Sequence, residues 1–364
     1  MSVGWIVLAE GNRLRWGGDL RRHYLLGPFA RIVRAQLAPR WTGEFLRAEL
    51  ARAQPGRPRL ATVELLDRDT LDLARQATSP VVVDFHDEPM AHFAALGHPI
   101  GPERESELRA LAASNLEAFR FVIAQSREFV SLVGLDPART IVAPSGTDTQ
   151  MIVPGPWPAT PVVGVVSGAS PGRGIETLVE SCRLLVPAVP RLRLRLVLAG
   201  TTEAGNVYLE GLKSSLAGET WITVETVPYR QLAATLADIA VLVIPHPANP
   251  YWDAVLPIKM FDYMAAGRPI VSTPRLATAA LLQRHGAGLI AAGEGPADLA
   301  EPIGRLLADE GFSRRLGVAA RRAAETTYDW NVIGRRLAED ILRREEPLRW
   351  LRRRVSVIRT RVLR

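Results

Sequence analysis

Short apolar runs alternate with helix-like patterns along most of the chain. In the first half, the apolar runs predict strands at residues 4–9, 60–65, 81–85, 120–124 and 140–143, separated by helices that include 18–36 and 105–119. In the second half, the predicted strands fall at residues 162–166, 194–199, 222–224, 239–244, 270–272 and 288–291, again with helices between them. This alternation is typical of parallel sheets covered by helices on both faces, so it predicts an α/β fold.

A proline-rich segment separates the two halves. Four prolines within residues 154–161 cannot continue a helix or a central strand, which predicts a stiff linker there. We therefore predict one domain at residues 1–153, a second at 162–330, a helix at 331–346 and a basic tail at 347–364. Open α/β sheets bind ligands at the carboxyl ends of their strands, so the two domains are expected to enclose a ligand cleft.

The segment from Leu256 to Thr273 is the strongest candidate site. Pro257 suits the first turn of a helix, and Gly267 suits a left-handed helix end before a short buried strand. A helix N-terminus carries unpaired N–H groups and about half a positive charge, which favours a phosphate group there. Lys259 adds a formal positive charge, so the segment is typical of a nucleoside-diphosphate site.

Asp262 lies three residues after Lys259, on the same face of the predicted helix. A carboxylate there can accept hydrogen bonds from ribose hydroxyls, as in dinucleotide-binding folds. An ordinary solvated Lys259–Asp262 pair is an equally good interpretation of the spacing alone. Composition favours the first, because the chain has only two lysines, Lys213 and Lys259, among 45 basic residues.

Two glycine-rich loops offer further phosphate contacts. Residues 167–174 follow a predicted strand and open a helix, so backbone N–H groups and the Arg173 guanidinium can hold a diphosphate. An ordinary strand-to-helix turn is the alternative. Gly17 and Gly18 follow the first strand, where they can approach a ligand or simply precede a helix capped by Asp19.

His86 comes directly after the apolar run at residues 81–85, where a strand end would project it into the cleft. A hydrogen-bonded structural histidine is the alternative. Asp84, Asp87 and Glu88 surround it in sequence, but neighbouring acids diverge on a strand and no second histidine has matching spacing. We therefore predict that no metal is bound.

Composition limits the remaining possibilities. Hydrophobic residues make up 47% of the chain and charged residues 23%, which is normal for a globular protein. A single cysteine, Cys182, excludes an internal disulfide, and no signal peptide or membrane span is visible, so we expect a cytoplasmic location. The net charge of +7 favours an anionic partner. Walker, zinc and nucleophile-elbow motifs are missing, and the arginines are not interleaved with aromatics as in nucleic-acid-binding modules.

The final 17 residues, 348–364, are basic and amphipathic. Leu351, Val355, Ile358 and Val362 follow helical spacing with arginines around them, which suits a helix lying on an anionic membrane. A helix that docks across the first domain explains the spacing equally well. The membrane interpretation predicts a peripheral protein on the inner face of the cell membrane and favours a lipid-linked substrate.

Taken together, these motifs resemble the retaining glycosyltransferases of family 4. Residues 164–178 resemble the family's phosphate loop, and residues 257–271 resemble its nucleotide-sugar helix. Val227-Pro228-Tyr229 is similar to its base-contacting turn, and Tyr328-Asp329-Trp330 to the start of its final helix. In the first half, residues 142–148 resemble the family's closing segment.

The resemblance implies the GT-B fold, with two Rossmann-like domains whose parallel sheets face one another across a cleft and a C-terminal helix that returns to the first domain. It implies transfer of a sugar from a nucleoside-diphosphate sugar to an acceptor hydroxyl, with the anomeric configuration retained and without a metal or another cofactor. The acceptor stays open between a glycan, a lipid-linked molecule and a small molecule, with bacterial polysaccharide or cell-envelope synthesis as the context.

The resemblance also implies site roles. Lys259 and Arg173 would stabilise the departing diphosphate, and His86 would contact the transferred sugar or the acceptor. The remaining residues would bind the donor: Asp262, Gly17, Gly18, Gly172, Gly174, Val227, Pro228, Pro257 and Ile258.

Several positions depart from the family pattern. Asp262 and Ala254 stand where the family has glutamates, with Asp253 adjacent to the second position, and Gly168 and Arg173 stand where it has arginine and lysine. These departures keep two alternatives open. The chain can be a catalytically silent binding or scaffold protein, or a nucleotide-sugar epimerase of the same two-domain form.

Overall fold

The computed structural model describes residues 6–8, 21, 25, 36–38, 59–62, 81–85, 88–97, 101–107, 110, 119–200 and 202–344. The strands of the first half are β1 (Ile6–Leu8), β2 (Gln36–Ala38), β3 (Arg59–Thr62), β4 (Val81–Asp84), β5 (Phe121–Ala124) and β6 (Thr140–Val142). Its described helices are α1 (Pro89–Ala95) and α2 (Arg127–Val133), with a further helical stretch at residues 102–107.

The second half contains the strands β7 (Val162–Gly168), β8 (Arg193–Ala199), β9 (Ile222–Glu225), β10 (Val241–Ile244), β11 (Ile270–Ser272) and β12 (Gly288–Ile290). Its helices are α3 (Ile175–Leu185), α4 (Glu203–Ser215), α5 (Leu232–Ala237), α6 (Pro250–Ala254), α7 (Ile258–Ala265), α8 (Leu276–His285), α9 (Pro296–Ala308) and α10 (Glu310–Ala323). A π-helical turn at Ala324–Tyr328 then leads into α11, at residues 330–344.

Each half forms a six-stranded parallel sheet. The strand order is β2-β1-β3-β4-β5-β6 in the first sheet and β12-β11-β10-β7-β8-β9 in the second. Both orders reverse direction once along the sheet, next to the first strand of each half, as in Rossmann-like folds. The predicted α/β class and its two parallel sheets are confirmed.

Two predicted elements of the first half differ from the structure. The helix predicted at residues 18–36 runs too far, because Gln36 begins strand β2, which pairs with β1. Gln36-Leu37-Ala38 has no β-branched residue to signal a strand, so pairing with β1 rather than local preference decides its conformation. The helix predicted at residues 105–119 begins three residues earlier, at 102, and Phe119 is no longer helical.

The proline-rich segment is held against the second half. The buried Arg268 Nη2 donates to the carbonyl oxygens of Pro156 and Ala237, and each N···O distance is 2.6 Å. The Trp157 ring lies beneath the guanidinium groups of Arg268 and Arg314, at 5.2 and 5.1 Å from its centroid. The segment is therefore anchored where it enters β7.

The last described helix, α11, returns to the first sheet. Its Trp330, Ile333 and Leu337 are buried together with Val82 and Ile123 from strands β4 and β5. The predicted returning helix is confirmed over residues 331–344, whereas residues 345–346 and the tail at 347–364 lie outside the described residues. Within the part of the chain that the structure describes, no helix has the length and apolarity needed to span a membrane.

Candidate functional site

The strand order of the second sheet reverses between the parallel neighbours β7 and β10. Open α/β sheets bind ligands in the crevice at the carboxyl ends of the strands at such a switch point. The predicted phosphate loop follows β7 directly. Helix α7, which carries Lys259, begins at the same edge, so the fold brings together two segments that are far apart in sequence.

Two glycines shape the phosphate loop. Gly172 and Gly174 have φ angles of +72° and +73°, a left-handed conformation that favours glycine. A Cβ at Gly174 would lie 1.7 Å from the carbonyl oxygen of Pro245, so the loops after β7 and β10 touch there. A Cβ at Gly172 would lie 2.3 Å from the carbonyl oxygen of Ala95, which belongs to the first domain.

The Arg173 side chain is held over this loop. Its Nε donates to Ser170 Oγ over 2.9 Å, and its guanidinium carbon lies 5.4 Å from the centre of the Trp252 ring. The guanidinium also packs beside Gly168, where an added Cβ would lie 3.5 Å from Arg173 Cζ. The guanidinium therefore lies at ordinary contact distance from position 168.

Lys259 reaches the same crevice from helix α7. Its Nζ donates to Ser167 Oγ, near the end of β7, over 3.2 Å. Burial, and secondarily the nearby Arg173 charge, hold the Lys259 pKa well below its usual value. Lys259 and Arg173 thus bring two basic side chains to the predicted phosphate loop.

His246 was missed by the sequence analysis. It follows β10 at the crevice, is buried, and stacks on Trp252 with ring centres 4.0 Å apart. Burial and then the charges of Lys259 and Arg173 lower its pKa well below the usual histidine value, so the ring is neutral at pH 7. The sequence did contain a signal for His246, because it comes directly after the apolar run of β10, whose carboxyl end lies at the crevice.

Asp262 has a different neighbourhood from the one expected. The side chain is buried, and its Oδ1 accepts a hydrogen bond from Thr147 Oγ1 over 2.8 Å. Burial raises the Asp262 pKa to about 7, against the lowering effect of the Thr147 hydrogen bond. The described ion pairs do not join Asp262 to Lys259, so the solvated-pair interpretation is wrong, while the ribose role stays a prediction.

The other predicted donor-binding positions of the second half lie at the same edge of the sheet. Pro257 caps the N-terminus of α7, and the Ile258 side chain packs against the buried cluster around α11. Val227 and Pro228 follow β9, and Pro228 precedes the 3-10 turn at Tyr229–Gln231. Their contact with a base stays a prediction.

Asp253 does not replace the missing glutamate at position 254. Its carboxylate lies 3.2 Å from the Nη1 of Arg275, which also pairs with Glu294. This ion-paired group orients the start of helix α8, since Asp253 Oδ1 also accepts from the Leu276 N–H. The structure therefore gives Asp253 a bridging role between α6 and α8.

His86, Gly17 and Gly18 lie outside the described residues. Arg21, three residues after Gly18, and Asp84, two residues before His86, form a buried ion pair with Nη2 to Oδ1 at 2.8 Å. Arg21 Nη2 also donates to the Ala143 carbonyl, at the end of β6.

Two of the acids that neighbour His86 in sequence, Asp84 and Glu88, have partners. Glu88 accepts from the Ala91 N–H and thereby caps α1, and Asp84 is paired as above. Among the described residues, His, Cys, Asp and Glu side chains do not gather in threes that could hold a metal ion.

Residues 160–309 match the protein family described as Glycosyl transferases group 1. The chain is also similar to a D-inositol 3-phosphate glycosyltransferase of Nocardia farcinica, with 25% identity over 333 residues that cover 83% of this chain and 71% of that protein. The family match at residues 160–309 contains both the phosphate loop and helix α7.

Solved structures show the same fold. Sucrose-phosphate synthase from Thermosynechococcus elongatus superimposes with a TM-score of 0.71 and 16% identity, covering 93% of this chain and 98% of that one. Anabaena Alr3699/HepE, solved in complex with UDP-glucose, gives a TM-score of 0.69 and 17% identity, covering 93% and 99%. These similarities confirm the two-domain architecture expected from the sequence.

Proposed function

We propose that this chain, which has the GT-B fold and matches the group 1 glycosyltransferase family over residues 160–309, transfers a sugar from a nucleoside diphosphate to an acceptor hydroxyl with retention of configuration. The observation that carries this proposal is the meeting of Arg173 and Lys259 at the crevice between β7 and β10. A UDP-sugar is bound by the similar Anabaena protein, which supports a nucleotide-sugar donor here.

The two cations supply the chemistry that this reaction needs. When the glycosidic bond breaks, negative charge accumulates on the departing diphosphate. Fixed cations at that position stabilise the transition state more than the ground state, which is the condition for catalysis. Lys259 and Arg173 carry this role, together with the backbone N–H groups of the loop that ends at Gly174 and of the α7 N-terminus.

A neutral His246 fits this arrangement. A third positive charge beside Arg173 and Lys259 would add repulsion in the absence of donor, and the lowered pKa of His246 removes it. The cationic pair thus stays intact around a neutral aromatic platform made of His246 and Trp252.

The acceptor side belongs to the first domain in this proposal. His86 contacts the transferred sugar or the acceptor, and Gly17 and Gly18 allow close approach of the backbone to the donor. No metal or other cofactor takes part, because the two cations already neutralise the diphosphate. A lipid-linked or cell-envelope glycan acceptor accords with the basic segment at 347–364, which would hold the protein at an anionic membrane.

The membrane part of the proposal has its own test. Liposomes containing anionic lipid should bind the full chain and should not bind a chain that ends at residue 346. Equal binding of the two forms, or binding of neither, would remove the membrane association and leave the transferase proposal intact.

The experiment that tests the donor proposal is titration of the purified protein with UDP, GDP and their common sugar conjugates by calorimetry. We expect tight binding of one sugar nucleotide, strongly weakened in Lys259→Ala. Binding followed by sugar release to an added acceptor excludes the epimerase alternative, which isomerises the donor without an acceptor. If no sugar nucleotide binds, the proposal fails and the silent scaffold alternative, suggested by Ala254 and Gly168, takes its place.

A further inference from the structure

Helix α1 of the first domain rests directly on the phosphate loop of the second. His92 Nε2 lies 3.4 Å from Arg173 Nη2, and the Ala95 carbonyl faces Gly172 at a distance that leaves no room for a Cβ. The guanidinium group has only donors, so this contact requires His92 in the tautomer with the proton on Nδ1. The first domain therefore contacts the residue that we assign to the diphosphate.

The His92 ring is itself fixed from the second domain. It stacks on Tyr251 with ring centres 4.9 Å apart and planes 8° from parallel, and it meets Trp252 edge-on at 6.0 Å. Tyr251 and Trp252 belong to a buried cluster that also contains Phe85 and Phe129 of the first domain. The stack holds the imidazole plane in place and thereby sets the direction of its Nε2.

Among the described residues, three contacts hold the Arg173 guanidinium. Ser170 Oγ engages its Nε, the Trp252 ring lies against its plane, and His92 engages its Nη2. The first two contacts come from the second domain itself. The third exists only while α1 is seated on the loop.

We propose that His92 is a positioning residue, which aligns the Arg173 guanidinium with the departing diphosphate when the two domains are closed. The proposal rests on the proposed function of Arg173. His92 acts through Arg173 rather than on the donor, so its loss affects the aligned, closed state in which the bond breaks. Small misplacements of a catalytic group lower turnover strongly, whereas a flexible guanidinium still binds the ground-state diphosphate.

Two variants separate alignment from packing. His92→Phe keeps a ring to stack on Tyr251 but has no acceptor for Arg173, and His92→Gln keeps an acceptor near the Nε2 position but loses the ring. We expect His92→Phe to lower kcat on the order of tenfold, with the KM for the sugar nucleotide and the Kd for the nucleoside diphosphate changed less than about twofold. We expect His92→Gln to recover most of the lost kcat.

Ala94→Ser, at an exposed position of α1, is the matched control and should leave kcat and the melting temperature unchanged. If His92→Phe turns over as fast as the wild type, the inference is overturned. It is also overturned if kcat falls equally in the Phe and Gln variants, because stacking rather than the acceptor would then be responsible.

Arg173→Ala, measured in parallel, tests the role of Arg173 separately from the positioning role of His92. A loss of diphosphate binding and turnover in Arg173→Ala, combined with normal kinetics in His92→Phe, overturns the His92 inference alone. Normal binding and turnover in Arg173→Ala overturn the proposed role of Arg173, and the inference about His92 with it.

Discussion

Lys259 and Ser167 join helix α7 to the end of strand β7, with Nζ donating to Oγ across 3.2 Å. The bond holds the ammonium group beside Arg173, at the crevice where the strand order of the second sheet reverses. Burial, and then the nearby Arg173 charge, lowers the Lys259 pKa, because one hydroxyl does not replace the water that burial removes.

Replacing Lys259 by alanine should lower turnover on the order of a hundredfold, because one preorganised donor to the departing diphosphate is lost. Initial rates at saturating donor would measure the change. The other lysine of the chain provides a matched control, because Lys213 is half-exposed and pairs with Glu210 on helix α4. Near-normal turnover in Lys259→Ala, or an equal loss in Lys213→Ala, would falsify the assigned role.

Binding of a nucleoside diphosphate should be accompanied by proton uptake wherever Lys259 is partly deprotonated in the free protein, so the titrations should span about pH 7 to 10. Without ligand, the Lys259 pKa is well below its usual value of 10.5, and the added negative charge raises it. Calorimetric titrations in buffers of different ionisation enthalpy would detect the uptake as a dependence of the observed heat on the buffer. Lys259→Met should bind more weakly and without the uptake; an uptake that persists in this variant would assign the proton to another group.

Asp262→Asn should stabilise the protein at neutral and higher pH. The Asp262 pKa is raised from 3.8 to about 7 in the folded protein, so the folded state retains a proton that the unfolded state releases, and this contribution to stability is lost as pH rises from about 4 to 7. Asparagine is never ionised and keeps an oxygen for the Thr147 hydroxyl. Its advantage should grow between pH 4 and 7 and then level off, with an upper limit of roughly 4 kcal/mol.

Urea unfolding of the wild type and Asp262→Asn across this pH range would measure that difference. A constant difference between pH 4 and 8 would show that Asp262 does not take up a proton on folding. If asparagine also leaves the Kd for the sugar nucleotide unchanged, the predicted ribose contact is wrong.

Replacing His246 by phenylalanine should reduce the loss of stability at acid pH. The lowered pKa of His246 means that the unfolded state gains a proton as pH falls through about 6.5, while the folded state does not. The wild type should therefore lose more stability than His246→Phe between pH 7 and pH 5. Phenylalanine keeps the ring stacked on Trp252, and parallel stability curves for the two proteins would contradict the prediction.

Gly174→Ala should destabilise the protein by at least about 2 kcal/mol, because φ is +73° there and the new methyl group would meet the Pro245 carbonyl. It should also weaken diphosphate binding, since the loop that carries Arg173 must move. Gly211→Ala is the matched control. An added Cβ there has nothing within 4 Å, and alanine suits the interior of α4, so thermal melting should show a gain of about 0.5–1 kcal/mol.

Helix α7 shows how far sequence patterns reach. Proline before it, glycine after it and the apolar run of β11 are local signals, and the structure has Pro257 as the N-cap, Gly267 in a left-handed conformation and the strand at Ile270–Ser272 as predicted. Strand β2 carries no such signal, because its conformation comes from pairing with β1. Elements with local sequence signals, such as α7, were predictable, whereas β2, whose conformation depends on pairing with a strand distant in sequence, was not.

The sequence by itself determined the α/β alternation, the two halves, and the two motifs that carry Arg173 and Lys259, because periodicity, turn residues and loop glycines act over a few neighbouring positions. Only the tertiary structure decided that Asp262 turns to Thr147, that Asp253 pairs with Arg275, and that His92 reaches Arg173. These partners lie between 22 and 115 positions apart in the chain. Their contacts depend on how the sheets and helices pack, and no local pattern encodes that.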